Sequence, residues 1–286
     1  MPFYPAEHFA TDVRVLARRG PAHVLYGDEQ FWFSHHRPDP TAVTYHQPPA
    51  RLARFMPATN WRRLAAHARQ IIALAPDQVA FFADHLREER VHLIPHGIDT
   101  TAFTPAGAPD PDARPLILTV GWWLRDWDVL DTVHDRLHQR HGNNIQLAVV
   151  TRQANQRTWH PAVSVLEGIS ETTLTQLYRQ AAAVLLPLAD ATANNALLEA
   201  LACGTPVVAT DTGGIPYYTG DSPAALLTPP GDASAAVEAV ETLLGELGTA
   251  AHATRRAAAR ERAELFAWPR IADQVRSVYR LLEDER

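Results

Sequence analysis

Read by the spacing of its apolar positions, the chain alternates helical and extended stretches from one end to the other. Phe9, Val13, Leu16 and Ala17 recur at helical spacing up to Gly20. Short apolar runs at His23–Tyr26 and Ala42–Tyr45 predict strands. A helix around Trp61 to Arg69, a strand Ile71–Ala75, a helix Asp77–Leu86 and a strand Val91–Pro95 follow. A second series comprises strand Leu116–Val120, helix Val129–Arg140, strands Ile145–Val150 and Val163–Leu166, and helix Glu171–Ala182. Beyond the centre of that series lie strand Ala225–Thr228, helix Ala233–Leu247, an Ala/Arg-rich helix, a break near Trp268-Pro269 and helix Ile271–Leu282. This alternation predicts βαβ units and hence an α/β fold with parallel sheets. Between the two series, Ala106–Arg114 (AGAPDPDAR) has no periodicity and is rich in Pro, Gly and Asp, as a linker is. It divides the chain into domains 1–106 and 107–267, with a terminal helix at 268–286.

The most informative stretch is 184–214, VLLPLADATANNALLEALACGTPVVATDTGG. Val184–Leu188 is of strand length, and Asp190 to Asn195 is small and polar. Asn194 opens a run with helical period (Leu197, Leu198, Leu201, Ala202) that Gly204 closes, as a residue just past a helix should. Pro206–Thr210 is the next strand, and Gly213-Gly214 a turn that permits close backbone approach. In parallel α/β sheets ligands sit off the carboxyl ends of strands, where helix N-termini present free N–H groups. The amides of Asn194 and Asn195 would therefore meet an anion such as a diphosphate. Glu199, about one turn further on, is placed to accept hydrogen bonds from sugar hydroxyls; the plain alternative is a solvated glutamate.

Composition narrows this picture. The chain has 286 residues, a net charge of −6 and 46% hydrophobic residues, which describes a globular protein without the basic footprint of nucleic-acid binding. No apolar run reaches the ~18 residues needed to cross a bilayer, and no N-terminal signal is visible. The one cysteine, Cys203, falls in a buried helix, so no intrachain disulfide can form and the cytoplasm is the expected compartment. All 26 basic residues are arginine. Without lysine there is no P-loop lysine, no Schiff base and no covalently held pyridoxal phosphate. Any phosphate charge must be met by arginine, helix N-termini or backbone nests.

Five segments together resemble glycosyltransferase family 4, the retaining group 1 glycosyltransferases of the GT-B fold. They are VHLIPHGIDTTAFTP (91–105), EGISETTLTQLYRQAAAVLLP (167–187), LLEALACGTPVVATDTGGIP (197–216), LLTPPGDASAAVEAV (226–240) and FAWPRIADQVRSVY (266–279). The resemblance implies two Rossmann-like domains, the C-terminal one binding a nucleotide-sugar donor and the N-terminal one most of the acceptor, a glycan, lipid or metabolite. It implies that the terminal helix crosses back to the N-terminal domain. Glu199 matches the second glutamate of a paired-glutamate motif, which holds the ribose. Asn194 and Asn195 fall where backbone amides meet donor sugar and diphosphate, and Gly168 and Ile169 where the base is lined. Gly121 and Leu198 complete the implied donor-binding set. His46, in TYH, matches a histidine that approaches the donor sugar. No metal and no cofactor are implied, and retention would follow front-face departure of a diphosphate that helps take the acceptor proton.

Three positions depart from the family pattern. The first motif glutamate should stand where Ala191 does; Asp190 is the substitute, one residue off, which on a helix turns a side chain by about 100°. Trp122 and Trp127 occupy places where the family carries Arg and Lys for the diphosphate, leaving Arg125 and Arg152 as the cations. The N-terminal half lacks the family's opening strand, Gly-rich loop and helix: the start is late, another chain or a second copy completes the sheet, or the acceptor site is lost, and an exposed sheet edge there would favour pairing. Two other functions stay open: a shortened non-catalytic nucleotide or sugar-binding module, and a GT-B nucleotide-sugar epimerase. Arg51, Arg54, Arg62 and Arg63 form a modest cluster that reads as a solvated face or as a peripheral membrane contact. His134, His138 and His141 share one helix at metal-binding spacing, but no acidic motif accompanies them, and a solvated face is expected. Asp28, after a strand, is read as facing a cleft or as capping a loop.

Overall fold

The computed structural model describes residues 6–55, 65–84, 86–107 and 113–284. The linker positions 108–112 and the first four positions, 61–64, of the helix expected from Trp61, Arg62 and Arg63 among them, lie outside them. Contacts divide the chain into two compact units, Met1–His96 with Pro269–Arg286, and Gly97–Trp268.

The first unit is built on a four-stranded parallel sheet in the order β1 (Ala22–Val24), β2 (Thr41–Tyr45), β3 (Gln70–Ala73), β4 (Val91–Leu93). Helices α1 (Ala6–Ala17), α2 (Pro49–Phe55) and α3 (Pro76–Ala83) precede and connect these strands. The two middle strands are buried along their whole length, as strands covered on both faces must be. Val24, Phe31, Val43, Tyr45, Leu52, Ile71 and Phe82 form the core. A single buried polar side chain ties the strand ends together. Gln78, on α3, donates through Nε2 to the carbonyls of Tyr45 and Gln47, each at 2.9 Å, and accepts from the Leu74 N–H at 2.7 Å. Every hydrogen-bonding group of that amide except one oxygen lone pair is used, which is what makes its complete burial tolerable.

The second unit is a six-stranded parallel sheet in the order β10-β9-β8-β5-β6-β7. Its strands are β5 (Leu116–Val120), β6 (Gln146–Val150), β7 (Val163–Leu166), β8 (Ala181–Leu186), β9 (Val207–Thr210) and β10 (Ala225–Thr228). The helices are α4 (Trp127–His141), α5 (Glu171–Gln180), α6 (Asn195–Ala202), α7 (Ile215–Thr219), α8 (Ala233–Gly245) and α9 (Ala250–Glu264), and α10 (Trp268–Asp284) closes the chain. One face of the sheet packs Ile117, Leu147, Val149 and Leu185 against Leu130, Val133 and Leu137 of α4 and Val237 and Val240 of α8. The other packs Leu118, Val120, Val184 and Leu186 against Tyr178 of α5, Leu197 and Leu201 of α6, and Ala259 and Ala263 of α9. Five of these helices start on a side-chain cap: Asp126 for α4, Ser170 for α5, Asn194 for α6, Asp232 for α8 and Thr249 for α9; α7 starts instead at Gly214, with Pro216 in its first turn. Among the described residues no helix is long and apolar enough to cross a membrane.

Two expectations are corrected. Ala181 and Ala182, assigned to a helix from Glu171, instead begin β8, since the centre of the sheet buries both completely or nearly so and outweighs alanine's preference for helix. His134 does not lie on a solvated face: it is 1% exposed and burial, with His160 and Arg157 nearby, lowers its pKa to about 3. His141 instead pairs with Glu241 at 2.9 Å, and among the described residues no group of three or more His, Cys, Asp or Glu is placed to hold a metal ion.

Replacing Gln78 by leucine strands one buried N–H and two carbonyls at the ends of β2 and β3. Each such group costs roughly 1–3 kcal/mol, so denaturant unfolding of the variant should show a stability loss of at least about 3 kcal/mol, and an unchanged midpoint would refute the staple.

Candidate functional site

In the second unit the residues singled out from sequence gather on the loops that leave the carboxyl ends of the parallel strands. Gly121 to Arg125 follow β5, Arg152 follows β6, Gly168 and Ile169 follow β7, Asp190 to Asn195 follow β8 and Gly213-Gly214 follow β9.

The loop after β8 is the best defined. Asn194 is the N-cap of α6, its side-chain oxygen accepting from Leu197 N–H at 3.1 Å. The side chain therefore serves the helix, and Asn195 stands exposed at its first position. Asp190 turns its Oδ1 back onto the Ala191 N–H at 2.8 Å. The carbonyl of Ala191 accepts from Gly214 N–H at 2.9 Å. At Gly213, with φ +50°, a Cβ would overlap that same carbonyl oxygen, so the two loops cross where only glycine fits. Leu198 is fully buried and its N–H bonds to the Asn194 carbonyl at 3.2 Å, which puts the residue in the core face of α6.

Glu199 comes four residues into α6 and is half-buried. Its Oε2 accepts from the hydroxyl of Tyr178 at 2.8 Å. Burial pushes the Glu199 carboxyl up to about 7, with the Tyr178 hydrogen bond pulling it down and Glu171 adding a smaller upward push. Tyr178 carries no sequence signal of a site; its 21-residue separation from Glu199 is bridged by β8, which the fold interposes between α5 and α6.

The loop after β5 is locked. Leu124 takes φ +54°, a left-handed conformation a leucine rarely adopts, and its carbonyl accepts from Ala189 N–H at 2.9 Å. Asp126 N–H bonds the Pro187 carbonyl at 3.0 Å, and Arg125 bridges to Leu188. The Arg125 guanidinium lies inside this loop, donating to the carbonyls of Val120 and Trp123, and a Cβ at Gly121 would sit 2.7 Å from it. Burial lowers its pKa to about 10, and its Nε finds no hydrogen-bond partner among the described residues. Gly121 N–H is itself bonded to the Val150 carbonyl at 2.9 Å. Arg152, by contrast, is exposed and lies over the ring of Trp122, 4.2 Å from its centroid. Gly168, with φ +66°, and Ile169 precede the Ser170 cap of α5.

In the first unit His46 leaves the end of β2. Its ring stacks on Tyr26 at 4.3 Å, and its N–H donates to Asp28 Oδ2 at 2.8 Å while Nδ1 stands 3.9 Å from the same oxygen. Burial, then the neighbouring His96 and His23, lower the His46 pKa to about 4, so the ring is neutral at physiological pH. Asp28 also accepts from Gln47 N–H at 3.3 Å. It anchors the loop after β2, and burial pushes its carboxyl up to about 7 despite those two bonds.

Comparison with known proteins places these observations in a family context. Residues 114–246 match the family model described as "Glycosyl transferases group 1". An alpha-maltose-1-phosphate synthase from Mycolicibacterium smegmatis is 30% identical over 233 residues, 68% of this chain and 58% of its own length. The chain thus spans little more than half of that relative. A sucrose-phosphate synthase from Thermosynechococcus elongatus superimposes with a TM-score of 0.77 at 23% identity, over 93% of this chain and 74% of the other. Anabaena HepE in complex with UDP-glucose does so with a TM-score of 0.68 at 19% identity, over 86% and 73%. The fold of these glycosyltransferases is the two-domain GT-B architecture expected from the sequence.

Because the fold raises the Asp28 carboxyl from an ordinary 3.8 to about 7, ionising it inside the protein costs stability that an unfolded chain does not lose. The penalty is absent below about pH 4, grows up to about pH 7 and is complete above it. Relative to wild type, Asp28→Asn should therefore gain denaturant midpoint between pH 5 and pH 8; a difference that does not change with pH would refute the assignment.

Proposed function

Residues 114–246 match the family model of the group 1 glycosyltransferases, and from that premise we propose that the chain is a retaining, metal-independent glycosyltransferase that moves a sugar from a nucleotide-sugar donor to a glycan, lipid or metabolite acceptor. The observation that carries the reading is the loop after β8. It delivers the capped N-terminus of α6, with Asn195 exposed at its first position, and the Glu199 carboxylate one turn further in. Helix N–H groups suit a diphosphate and a carboxylate suits a pair of vicinal hydroxyls, which is the chemistry of a nucleotide sugar. The complex of HepE with UDP-glucose supports the same class of donor.

Roles follow from what each group has left to offer. Glu199 holds the ribose. The amides at Asn194 and Asn195 meet the diphosphate, and Gly168 and Ile169 line the base. Arg152 supplies the mobile cation, because the Arg125 guanidinium is spent on two main-chain carbonyls. Arg125 with Gly121, and Leu198 within α6, act by shaping the loops that carry these groups. Asp190 takes the place of the missing first glutamate on the sugar, and neutral His46 serves the reacting sugar from the first unit. In retention by front-face departure the leaving diphosphate takes up the acceptor proton, so the protein supplies orientation and charge stabilisation. The unpaired edges of β1 and β4, which end the first sheet among the described residues, suit a partner chain or a second copy.

Calorimetric titration of the purified chain with UDP, GDP and ADP tests the reading. One nucleotide should bind in the micromolar range, and Glu199→Ala should weaken it at least about tenfold, the worth of one or two hydrogen bonds to a charged group. Arg152→Ala should weaken the diphosphate more than the free nucleoside. Absence of binding to all three nucleotides would remove the donor function.

A further inference from the structure

Tyr178 is fully buried, yet its hydroxyl is directed at a carboxylate. It sits in the last turns of α5, behind β8, with its ring 6.3 Å from that of Phe103 and its carbonyl accepting from Thr205 Oγ1 at 2.6 Å. Ring and backbone are thus fixed on several sides, and the phenol has little freedom to point elsewhere. A buried hydroxyl needs a partner, and any main-chain carbonyl would satisfy it. The partner here is Glu199 Oε2, at 2.8 Å.

As an element of stability this is a poor choice. Burial already raises the Glu199 carboxyl to about 7, and burial together with the Glu199 charge raises the Tyr178 hydroxyl further from ionisation. Such an arrangement is characteristic of sites rather than cores. A hydrogen bond from a fixed phenol does two things to a carboxylate: it selects one rotation of the group, and it favours the ionised form. With Oε2 engaged behind, Oε1 is left to the ligand.

We infer that Tyr178 is the positioning residue of Glu199, holding the carboxylate by Oε2 so that Oε1 accepts from the ribose hydroxyls of a bound nucleotide. The inference rests on the reading of the C-terminal unit as a nucleotide-sugar site. Tyr178 touches no substrate; it acts through Glu199. The remaining charged groups around the pair are few. Glu171 faces Glu199 from α5, Cys203 lies at the end of α6 itself, Arg125 stands near Tyr178 from the loop after β5, and Arg179 of α5, then Arg260 and Arg256 of α9, act on Cys203. Of these only the Tyr178 hydroxyl donates a hydrogen bond to the Glu199 side chain among the described residues.

Tyr178→Phe keeps the ring and its packing and deletes one oxygen, so the variant is expected to fold. Two measurements on the full chain separate positioning from packing. The first follows the Glu199 side-chain carboxyl by carbon NMR from pH 5 to pH 9, assigned by its loss in Glu199→Gln. Its midpoint should rise in Tyr178→Phe. The second is the affinity for whichever nucleoside diphosphate wild type binds, across the same range. Wild-type affinity should rise with pH as Glu199 ionises through about 7. Tyr178→Phe should bind about tenfold more weakly at pH 7, the effect of a midpoint moved by about one pH unit and one lost orienting bond. The gap should narrow toward pH 9. An unchanged Glu199 midpoint, or a loss of affinity that is the same at every pH, overturns the positioning role while leaving the donor function intact. Failure of wild type to bind any nucleoside diphosphate overturns the donor function and this inference with it.

Discussion

The constraint on which the second unit depends is the complete burial of β8. Its six residues, Ala181 to Leu186, are all buried, with β9 on one side and β5 on the other. A strand in that position has room for a polar side chain only where a main-chain carbonyl receives it, as Thr119 of β5 donates to the Leu185 carbonyl, since both faces are covered and both edges are paired. Chemistry is therefore displaced to the point where the strand runs out. Pro187 ends it, the neighbouring loops hydrogen-bond to Pro187, Ala189 and Ala191, and α6 begins at Asn195. The apolar strand aims the polar loop; small residues in its first half let α5 approach closely enough for Tyr178 to reach past it to α6.

A second cost is met close by. Arg125 is an arginine 9% exposed and, among the described residues, has no carboxylate opposite it and is held by carbonyl oxygens. Burying a guanidinium this way is unfavourable in isolation. What is obtained in exchange is a rigid loop. Leu124 is kept left-handed, Trp122 is displayed beneath Arg152, and the ends of β5 and β8 are joined across the sheet. Rigidity of this kind belongs with a binding surface, where groups fixed beforehand lose little entropy when a ligand arrives.

The sequence made legible what is written locally. Asn194 as a cap, Gly204 as a terminator and the strands on either side obey short-range rules, and they appear where those rules put them. So does the parallel α/β architecture, because burial on both faces writes itself as uninterrupted apolar runs. What escaped was decided by distant segments. Ala181 and Ala182 read as helix because nothing near them announces the sheet that buries them. Arg125 read as a cation free for the diphosphate, and His134 as a solvated residue, because their burial depends on loops and helices far along the chain. Gln78 and Tyr178 drew no attention, since an amide or a phenol acquires a role only when a partner 21 or more residues away is brought to it.

The first unit is not made from one continuous piece of chain. It joins Met1–His96 to Pro269–Arg286, and His23 ties the two pieces together, with Tyr279 hydroxyl 2.8 Å from Nδ1 and Thr44 Oγ1 2.7 Å from Nε2. Domains emerging from the ribosome fold as units, usually in the order of synthesis. Here that order is inverted for one of them. Gly97–Trp268, with the six strands of its sheet, is complete before Pro269–Arg286 is translated, whereas the unit begun by Met1–His96 must wait for those later residues. During synthesis residues 22–93, which carry that sheet, are thus joined by Tyr279 only after Gly97–Trp268 has been made, and the delay is set by the time taken to translate everything between.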